Sequence, residues 1–283
     1  MPVRRPLAPV PPLALPPGRT VVVPDRGELF LRDTGGPGPV LLLVHGWMWP
    51  SDLTWGRSYA LLARAGYRVL AVDLRGHGRG LRSSERFRLA DCADDLAGLP
   101  AVLGTGPALV AGYSMGGPVA QLMARRHPEA VRGIVLCATA LDWSDPWQKA
   151  VWRTMGGLRV LLGAFPLGVW RAVVRAQGRD EQARNWVAAE LSRSSARDVA
   201  EAGRELGRFD SSGWVGDLPQ PGAVVLTGRD RLVPPRKQAQ LAEALGVAPH
   251  VVDADHDACS VKAPELVAAV LAALEGVRAR AAA

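Results

Sequence analysis

The feature that most constrains the fold of this chain is a serine between two glycines, at the junction of a strand-like and a helix-like segment. Residues 112–116 read Gly-Tyr-Ser-Met-Gly, directly after the apolar run 107–111 and before a helical pattern at 118–124. A serine that leaves a strand through a sharp, strained turn into a helix exposes its hydroxyl at the end of the sheet. Without that context the motif would more often be a plain loop. With it, the sequence predicts that Ser114 is a catalytic nucleophile.

A serine hydroxyl is a weak nucleophile and needs a base beside it, which in turn needs an orienting group. Among the five histidines, His256 stands in an Asp-rich loop just after the short strand-like run 250–252. His127 lies at a polar helix end, where we expect a solvated cap. His256 is therefore the predicted base. The alternative interpretation is that His256 is an ordinary loop histidine without a catalytic role.

The predicted acid is Asp230, which follows the apolar run 223–227. A carboxylate there can reach the far nitrogen of the histidine ring and fix its tautomer. Asp142 is a rival because it follows the preceding predicted strand. Three further aspartates surround His256 and are too close along the chain to orient it easily: Asp253, Asp255 and Asp257.

Two further motifs each follow a predicted strand. Residues 40–47 read Val-Leu-Leu-Leu-Val-His-Gly-Trp, and residues 73–78 read Asp-Leu-Arg-Gly-His-Gly. With the serine motif and the Asp230–His256 pair, they make four ordered motifs, which carry a resemblance over about residues 20 to 275. On these motifs the chain resembles the α/β-hydrolase superfamily, in the branch of small serine esterases and lipases.

The resemblance implies roles for further residues. The backbone N–H groups of Met115 and Trp47 are expected to donate to an oxyanion, each contributing about 3 kcal/mol to lowering the barrier. His45 is expected to hold its loop. The resemblance also disfavours haloalkane dehalogenases and epoxide hydrolases, which have a carboxylate where Ser114 stands. One departure is Arg79, since family members often have a small hydroxyl residue shortly after Gly-His-Gly.

Alternating strand and helix patterns predict an α/β fold, with a mostly parallel eight-stranded sheet flanked by helices. Predicted strands lie near 19–24, 28–34, 39–45, 67–73, 106–112, 132–138, 222–228 and 249–253, the first two as a hairpin. Predicted helices lie near 53–65, 89–102, 115–127, 235–245 and 264–279. The expected domains are a proline-rich arm at 1–17, a core at 18–140 and 219–283, and a helical cap at 141–218, after the sixth strand.

The predicted cap is rich in tryptophan. Six of the nine tryptophans lie in it: Trp143, Trp147, Trp152, Trp170, Trp186 and Trp214. An apolar cap over the serine would form an acyl pocket and exclude water, although these rings could equally pack the cap onto the core. The predicted pocket residues are Trp49, Trp143 and Trp147.

Composition limits the partners. The net charge is +7, but the arginines are scattered, so we expect a solvated basic surface and no nucleic-acid partner. Three cysteines without Cys-x-x-Cys spacing predict neither a disulfide framework nor a metal site. No apolar run approaches the roughly 20 residues of a membrane span. The expected location is the bacterial cytoplasm, with secretion and oligomeric state left open.

The predicted function is hydrolysis of small-molecule carboxylic esters with apolar acyl groups, through an acyl-enzyme formed by Ser114, His256 and Asp230 and without a cofactor. A cofactor-free haloperoxidase or perhydrolase would use the same three residues with peroxide in place of water. A thioesterase or acyltransferase would use the same acyl-enzyme. A non-catalytic ligand-binding protein is an alternative of another class, although it would not need all three residues.

Overall fold

The computed structural model describes residues 11–175 and 181–282, and within them eight strands form one sheet. The strands are β1 (Gly18–Val23), β2 (Gly27–Asp33), β3 (Val40–Val44), β4 (Arg68–Val72), β5 (Ala108–Tyr113), β6 (Val131–Cys137), β7 (Gly222–Thr227) and β8 (His250–Val252). Their order is β1-β2-β4-β3-β5-β6-β7-β8. β1 and β2 form an antiparallel hairpin, β2 is antiparallel to β4, and all later neighbours are parallel. The predicted eight-stranded, mostly parallel sheet is confirmed.

The central strands are buried on both faces, which explains why they are continuous apolar runs. Every residue of β3, β5 and β7 is buried. Alternate residues of β3 enter opposite layers: Leu42 and Val44 pack into one core cluster, and Leu41 and Leu43 into the other. Because these strands are parallel, the loops that follow them emerge at one edge of the sheet.

Helices cover both faces of the sheet. Those outside the segment between β6 and β7 are α1 (Ser51–Trp55), α2 (Tyr59–Arg64), α3 (Leu89–Ala97), α4 (Leu99–Leu103), α5 (Gly116–Arg126), α11 (Pro235–Ala244), α12 (Ala258–Val261) and α13 (Ala263–Ala282). Residues of α3, α5 and α11 pack into the first cluster. Residues of α2 and α13 pack into the second.

Two predicted helices are each two helices in the structure. The segment 53–65 divides into α1 and α2 at a turn in which the Ser58 N–H donates to the Trp55 carbonyl at 2.7 Å. The segment 89–102 divides into α3 and α4 at Gly98, just before Pro100. Proline lacks an N–H donor and is accommodated in a first helical turn, so a new helix begins there.

The segment between β6 and β7 is called the helical insertion. Its described residues form five α-helices: α6 (Pro146–Arg153), α7 (Met155–Ala164), α8 (Pro166–Arg175), α9 (Glu181–Ser192) and α10 (Ala196–Leu206). Within it, α7 packs on α10 and α8 packs on α9. An isolated bridge between Asp142 and Asp210 joins its two ends. Polar contacts hold it to the core, since the Ser195 N–H donates to the Gly76 carbonyl at 2.8 Å and Ser194 Oγ accepts from the Gly78 N–H at 3.1 Å.

Residues 11–17 of the predicted proline-rich arm lie on the body, and residues 1–10 are outside the described residues. The Pro17 carbonyl accepts from the Asp33 N–H at 3.2 Å, and the Pro16 carbonyl accepts from Arg32 Nη1 at 3.0 Å. Across the described chain, no single helix has the length and apolarity to cross a membrane. Only α7 and α8 taken together, bent by 108°, pass that test.

Candidate active site

Ser114 lies at the turn between β5 and α5, with a backbone φ of +52°. This conformation is strained for a residue with a side chain. The flanking glycines make the turn possible, because a β-carbon on Gly112 would lie 2.2 Å from the Gly116 carbonyl oxygen. One on Gly116 would lie 2.3 Å from the Val44 carbonyl oxygen. The Gly-x-Ser-x-Gly pattern is therefore a steric requirement of this turn.

Three side chains from separate loops form one hydrogen-bonded line at the edge of the sheet. His256 Nε2 is 3.0 Å from Ser114 Oγ, and His256 Nδ1 is 2.8 Å from Asp230 Oδ2. Because a carboxylate oxygen accepts, the Nδ1 proton faces Asp230, and Nε2 is left to accept from the serine hydroxyl. This arrangement can take the proton from Ser114 as the hydroxyl attacks an electrophile.

The Asp230 carboxylate is buried and held on both oxygens. Its Oδ1 accepts from the N–H groups of Leu232 at 2.9 Å and Val233 at 2.7 Å. Its Oδ2 also accepts from Thr227 Oγ1 at 2.7 Å and Gln238 Nε2 at 3.2 Å. No sequence pattern identified Thr227 and Gln238, because hydrogen bonds between a strand end, a loop and a helix leave no local signature.

The rival aspartates have other partners. Asp142 accepts from Lys237 Nζ at 2.9 Å, and Asp253 pairs with Arg229 at 2.7 Å on the surface. Asp255 Oδ1 accepts from the N–H groups of Arg231 at 2.9 Å and His256 at 2.8 Å. Burial acts to raise the pKa of Asp255, but these two donors lower it overall. Asp255 thus shapes the loop that carries His256.

Tyr113, the residue before the serine, also supports the histidine loop. Its hydroxyl donates to the His256 carbonyl at 2.8 Å, and its ring centroid lies 5.7 Å from the imidazole. The ring is almost completely buried. No sequence signal identified this residue, since a tyrosine at the end of an apolar strand is also expected in a core.

The loop after β3 passes directly beside the serine. A β-carbon on Gly46 would lie 3.3 Å from Ser114 Cβ and 3.8 Å from Ser114 Oγ. Neither of the two predicted oxyanion donors, the N–H groups of Trp47 and Met115, has an acceptor among residues 11–175 and 181–282. Donors without a protein partner are what the binding of an oxyanion would require.

His45 and His77 lie behind this loop and are fully buried. His45 Nε2 accepts from the Leu74 N–H at 2.9 Å, so its Nδ1 carries the proton and donates to the Gly46 carbonyl at 2.7 Å. Burial lowers the pKa of His45 to about 4. Burial, together with the neighbouring His45, lowers the pKa of His77 to about 3. His45 therefore anchors the loop as a neutral imidazole.

Arg79, the departure noted in the sequence, links three parts of the fold. Its Nη2 lies 2.7 Å from Glu190 of α9, and its Nη1 lies 3.3 Å from Asp52 of α1. Its backbone N–H donates to Asp73 at 2.9 Å, and the Ser51 hydroxyl donates to the same carboxylate. Arg79 thus ties the helical insertion to the loops around the site.

The predicted pocket tryptophans occupy different environments. Trp49 packs with Trp47 against the cluster formed by α7, α8 and α9. Trp143 is buried in the first core cluster, and its carbonyl accepts from Trp152 Nε1 at 3.2 Å. Trp147 is 41% exposed. Of the three, Trp49 lies closest along the chain to the predicted oxyanion donor Trp47. The indole N–H of Trp47 donates to the Val199 carbonyl of α10 at 2.7 Å.

Among the described residues, no group of three or more histidine, cysteine or acidic side chains is arranged to hold a metal ion. The three cysteines are buried and unpaired.

Comparison with known proteins places this geometry in context. A family model described as the alpha/beta hydrolase fold matches residues 39–263. Epoxide hydrolase B of Mycobacterium tuberculosis is 37% identical over 100 residues, which are 35% of this chain and 28% of that protein. The bifunctional esterase/perhydrolase DCH of Acinetobacter calcoaceticus is 33% identical over 109 residues, 38% of this chain and 39% of that protein. The matched regions thus cover less than half of these relatives.

A solved structure is similar over nearly the whole chain. A thermophilic esterase from Thermogutta terrifontis superposes with a TM-score of 0.74 at 25% identity, covering 92% of this chain and 99% of that chain.

Proposed function

From the premise that this chain belongs to the alpha/beta hydrolase family, we propose that it is a serine hydrolase that cleaves carboxylic esters of small molecules. The observation that carries the proposal is the continuous line from Ser114 Oγ through both nitrogens of His256 to Asp230. The names of an esterase/perhydrolase relative and of an esterase of similar structure support it.

In the proposed first half-reaction, His256 Nε2 accepts the Ser114 proton as the serine oxygen attacks the ester carbonyl. The carbonyl oxygen becomes an oxyanion, which the N–H groups of Trp47 and Met115 bind. Removal of one such donor typically slows an enzyme by about 10²–10³-fold. Asp230 keeps the imidazole in the required tautomer and stabilises the imidazolium. The imidazolium then protonates the departing alcohol.

In the second half-reaction, water replaces the alcohol. His256 accepts a proton from the water, whose oxygen attacks the acyl-enzyme carbonyl at the same oxyanion site. Collapse of this intermediate releases the carboxylic acid and returns the proton to Ser114. The chain's own residues supply each proton transfer, so the proposal needs no cofactor.

We assign the helical insertion the role of a cap that encloses an apolar acyl group. The loop that carries the proposed oxyanion donor Trp47 packs against its helices, and the ring of Trp47 meets Trp152 edge to face at 5.3 Å. Apolar walls beside the serine would favour uncharged acyl chains and exclude water. Trp49, Trp143 and Trp147 remain predicted pocket residues. The expected cytoplasmic location belongs to this proposal too, and the unpaired cysteines support it.

Perhydrolysis is the second candidate, because the bifunctional relative carries that activity in its name. It would use the same acyl-enzyme, with peroxide in place of water in the second half-reaction. Thioester hydrolysis and acyl transfer would share the first half-reaction. An epoxide hydrolase reaction is disfavoured despite the relative of that name, because a serine occupies the position where such enzymes have a carboxylate.

The test is kcat/KM for p-nitrophenyl acetate, butyrate, octanoate and palmitate, with a succinyl ester as the charged control. We expect a rise of about fourfold for each methylene that the pocket accommodates, equivalent to about 0.8 kcal/mol, followed by a plateau or fall. No cleavage of any ester would contradict the proposal, and a maximum on the succinyl ester would contradict the apolar pocket. The same assay with hydrogen peroxide, scored for peracid, separates perhydrolysis from hydrolysis.

A further inference from the structure

The corner between α7 and α8 presents large apolar side chains to the outside. Phe165, at the corner itself, is 68% exposed, and Val160 is 71% exposed. Leu161 and Leu167 are also exposed on the two helices. We call these four residues the α7–α8 corner. A contiguous apolar surface on a single chain commonly marks an interaction site.

The fold itself does not need this surface. The opposite faces of the same helices already pack inward, through Leu162 of α7 and Trp170 and Val174 of α8, which are buried in the cluster that contacts Trp47 and Trp49. The helix pair is therefore apolar on two sides. One side covers the loop next to Ser114, and the other has no partner within the described part of the chain.

The charged side chains of α6, α7 and α8 are all basic. Residues 146–175 contain no aspartate or glutamate. They contain five basic residues: Lys149, Arg153, Arg159, Arg171 and Arg175. None of the five forms an ion pair with a carboxylate of the described residues. Arg68 and Arg126, which lie outside the helical insertion, show the contrasting pattern, since each pairs with an aspartate. Exposed arginines without a carboxylate partner among the described residues therefore flank the apolar corner, with Arg159 on α7 and Arg171 on α8.

We propose that the α7–α8 corner docks this protein on an anionic lipid surface. Helices with exposed apolar residues beside arginine and lysine lie in the membrane interface, with the apolar side chains at the boundary of headgroups and acyl chains. Each helix has ten residues, about 15 Å, and the pair bends by 108°. This shape suits insertion of the corner rather than a span. Phe165 and Leu161 enter the interface, and Arg159 and Arg171 contact lipid phosphates.

A second copy of the chain is the competing occupant of the same surface. Two copies docked through this corner would bring together Arg159 and Arg171 of each copy, and these exposed arginines would repel one another. An anionic bilayer instead attracts each charge by about 1 kcal/mol, or about fivefold in binding. Charge complementarity therefore favours the lipid surface. Docking on a lipid surface would set where the protein resides, and it does not depend on the reaction proposed for Ser114.

The test is co-sedimentation of the full chain with large vesicles of phosphatidylcholine, alone or mixed with phosphatidylglycerol. We expect binding to the mixed vesicles that weakens as salt is added, and little binding to phosphatidylcholine alone. L161S/F165S should lower the partition coefficient at least tenfold. R159Q/R171Q should lower it about 25-fold, from about fivefold per charge.

Matched variants control for fold and for general charge. V22S/V251S changes two apolar residues of similar exposure, 64% and 63%, and R132Q/R278Q removes two exposed arginines outside the helical insertion. Both should bind vesicles like the unmodified chain, and all variants should retain its unfolding temperature. Equal binding by L161S/F165S and V22S/V251S would overturn the proposal, as would the absence of sedimentation with the mixed vesicles. A dimer in sedimentation velocity that L161S/F165S abolishes would assign the corner to a second copy instead.

Discussion

At Ser114, backbone strain and hydrogen bonding act together. The positive φ directs the hydroxyl away from the strand. His256 Nε2 lies 3.0 Å from Ser114 Oγ. Steric crowding at Gly112 and Gly116 explains why a short sequence motif could predict this residue. His256 and Asp230 were predictable because each follows an apolar strand. The hydrogen-bond donors to Asp230 were not predicted, because Thr227, three residues earlier, and Gln238 of α11 reach its carboxylate only in the folded shape of the loop after β7.

Replacement of the proposed orienting acid tests the assignment among the aspartates. Asp230→Asn should lower kcat for ester hydrolysis by about 10⁴-fold, because an amide donor at Oδ2 favours the wrong histidine tautomer. Asp253→Asn is the matched control, since its side chain is 81% exposed and pairs only on the surface. Kinetics on a short-chain ester should show this loss for the first variant and wild-type rates for the second. Equal effects of both would refute the assignment of Asp230.

At the scale of elements, the strands were more predictable than the helices. All eight strands were expected close to their observed bounds, because short apolar runs between glycines and prolines are too short for helices and are best buried as strands. The divisions at residues 56–58 and at Gly98 were missed, since one turn interrupts each helical pattern. The arrangement of α6–α10 was beyond prediction, because it depends on contacts such as Arg79–Glu190 between segments far apart in sequence.

The Arg79–Glu190 contact predicts how firmly the helical insertion is held. Burial raises the pKa of Glu190, and Arg79 opposes that shift. Arg79→Met should lower the free energy of unfolding by about 2 kcal/mol, because buried Glu190 loses a charged hydrogen-bond donor at 2.7 Å and keeps Arg193 at 3.2 Å. R79M/E190Q should recover part of the loss, since the buried carboxylate charge that Arg79 partnered is then absent. Urea unfolding measures both variants. A loss below about 1 kcal/mol for Arg79→Met would mean that the contact contributes little.

At the scale of the whole molecule, two buried histidines couple stability to pH. The folded pKa values of His45 and His77 are about 4 and 3, below the unfolded value of about 6.5. As pH falls below 6.5, the unfolded chain therefore binds protons that the folded chain does not, and stability decreases. The loss is about 1.4 kcal/mol per pH unit per histidine until the folded pKa is reached. Glu190 acts in the opposite direction, because burial raises its pKa.

This coupling can be isolated with one substitution. Between pH 7 and 5, His77 alone should reduce the free energy of unfolding by about 2 kcal/mol. His77→Gln does not titrate, so its unfolding free energy should fall by about 2 kcal/mol less than that of the unmodified chain over the same interval. Urea unfolding at both pH values gives the difference, whatever the overall stability of the variant. Parallel losses in the two proteins would exclude His77 as a source of the pH dependence.

The central claim is that Ser114 forms the acyl-enzyme, and kcat of Ser114→Ala on the best ester tests it most directly. The variant should unfold at the temperature of the unmodified chain or higher, because alanine adds no atoms to the turn. Its kcat should fall by about 10⁴-fold or more. A serine-directed phosphonate should label the unmodified chain once and should not label the Ser114→Ala variant. A folded Ser114→Ala protein that retains most of its ester hydrolysis would contradict the account.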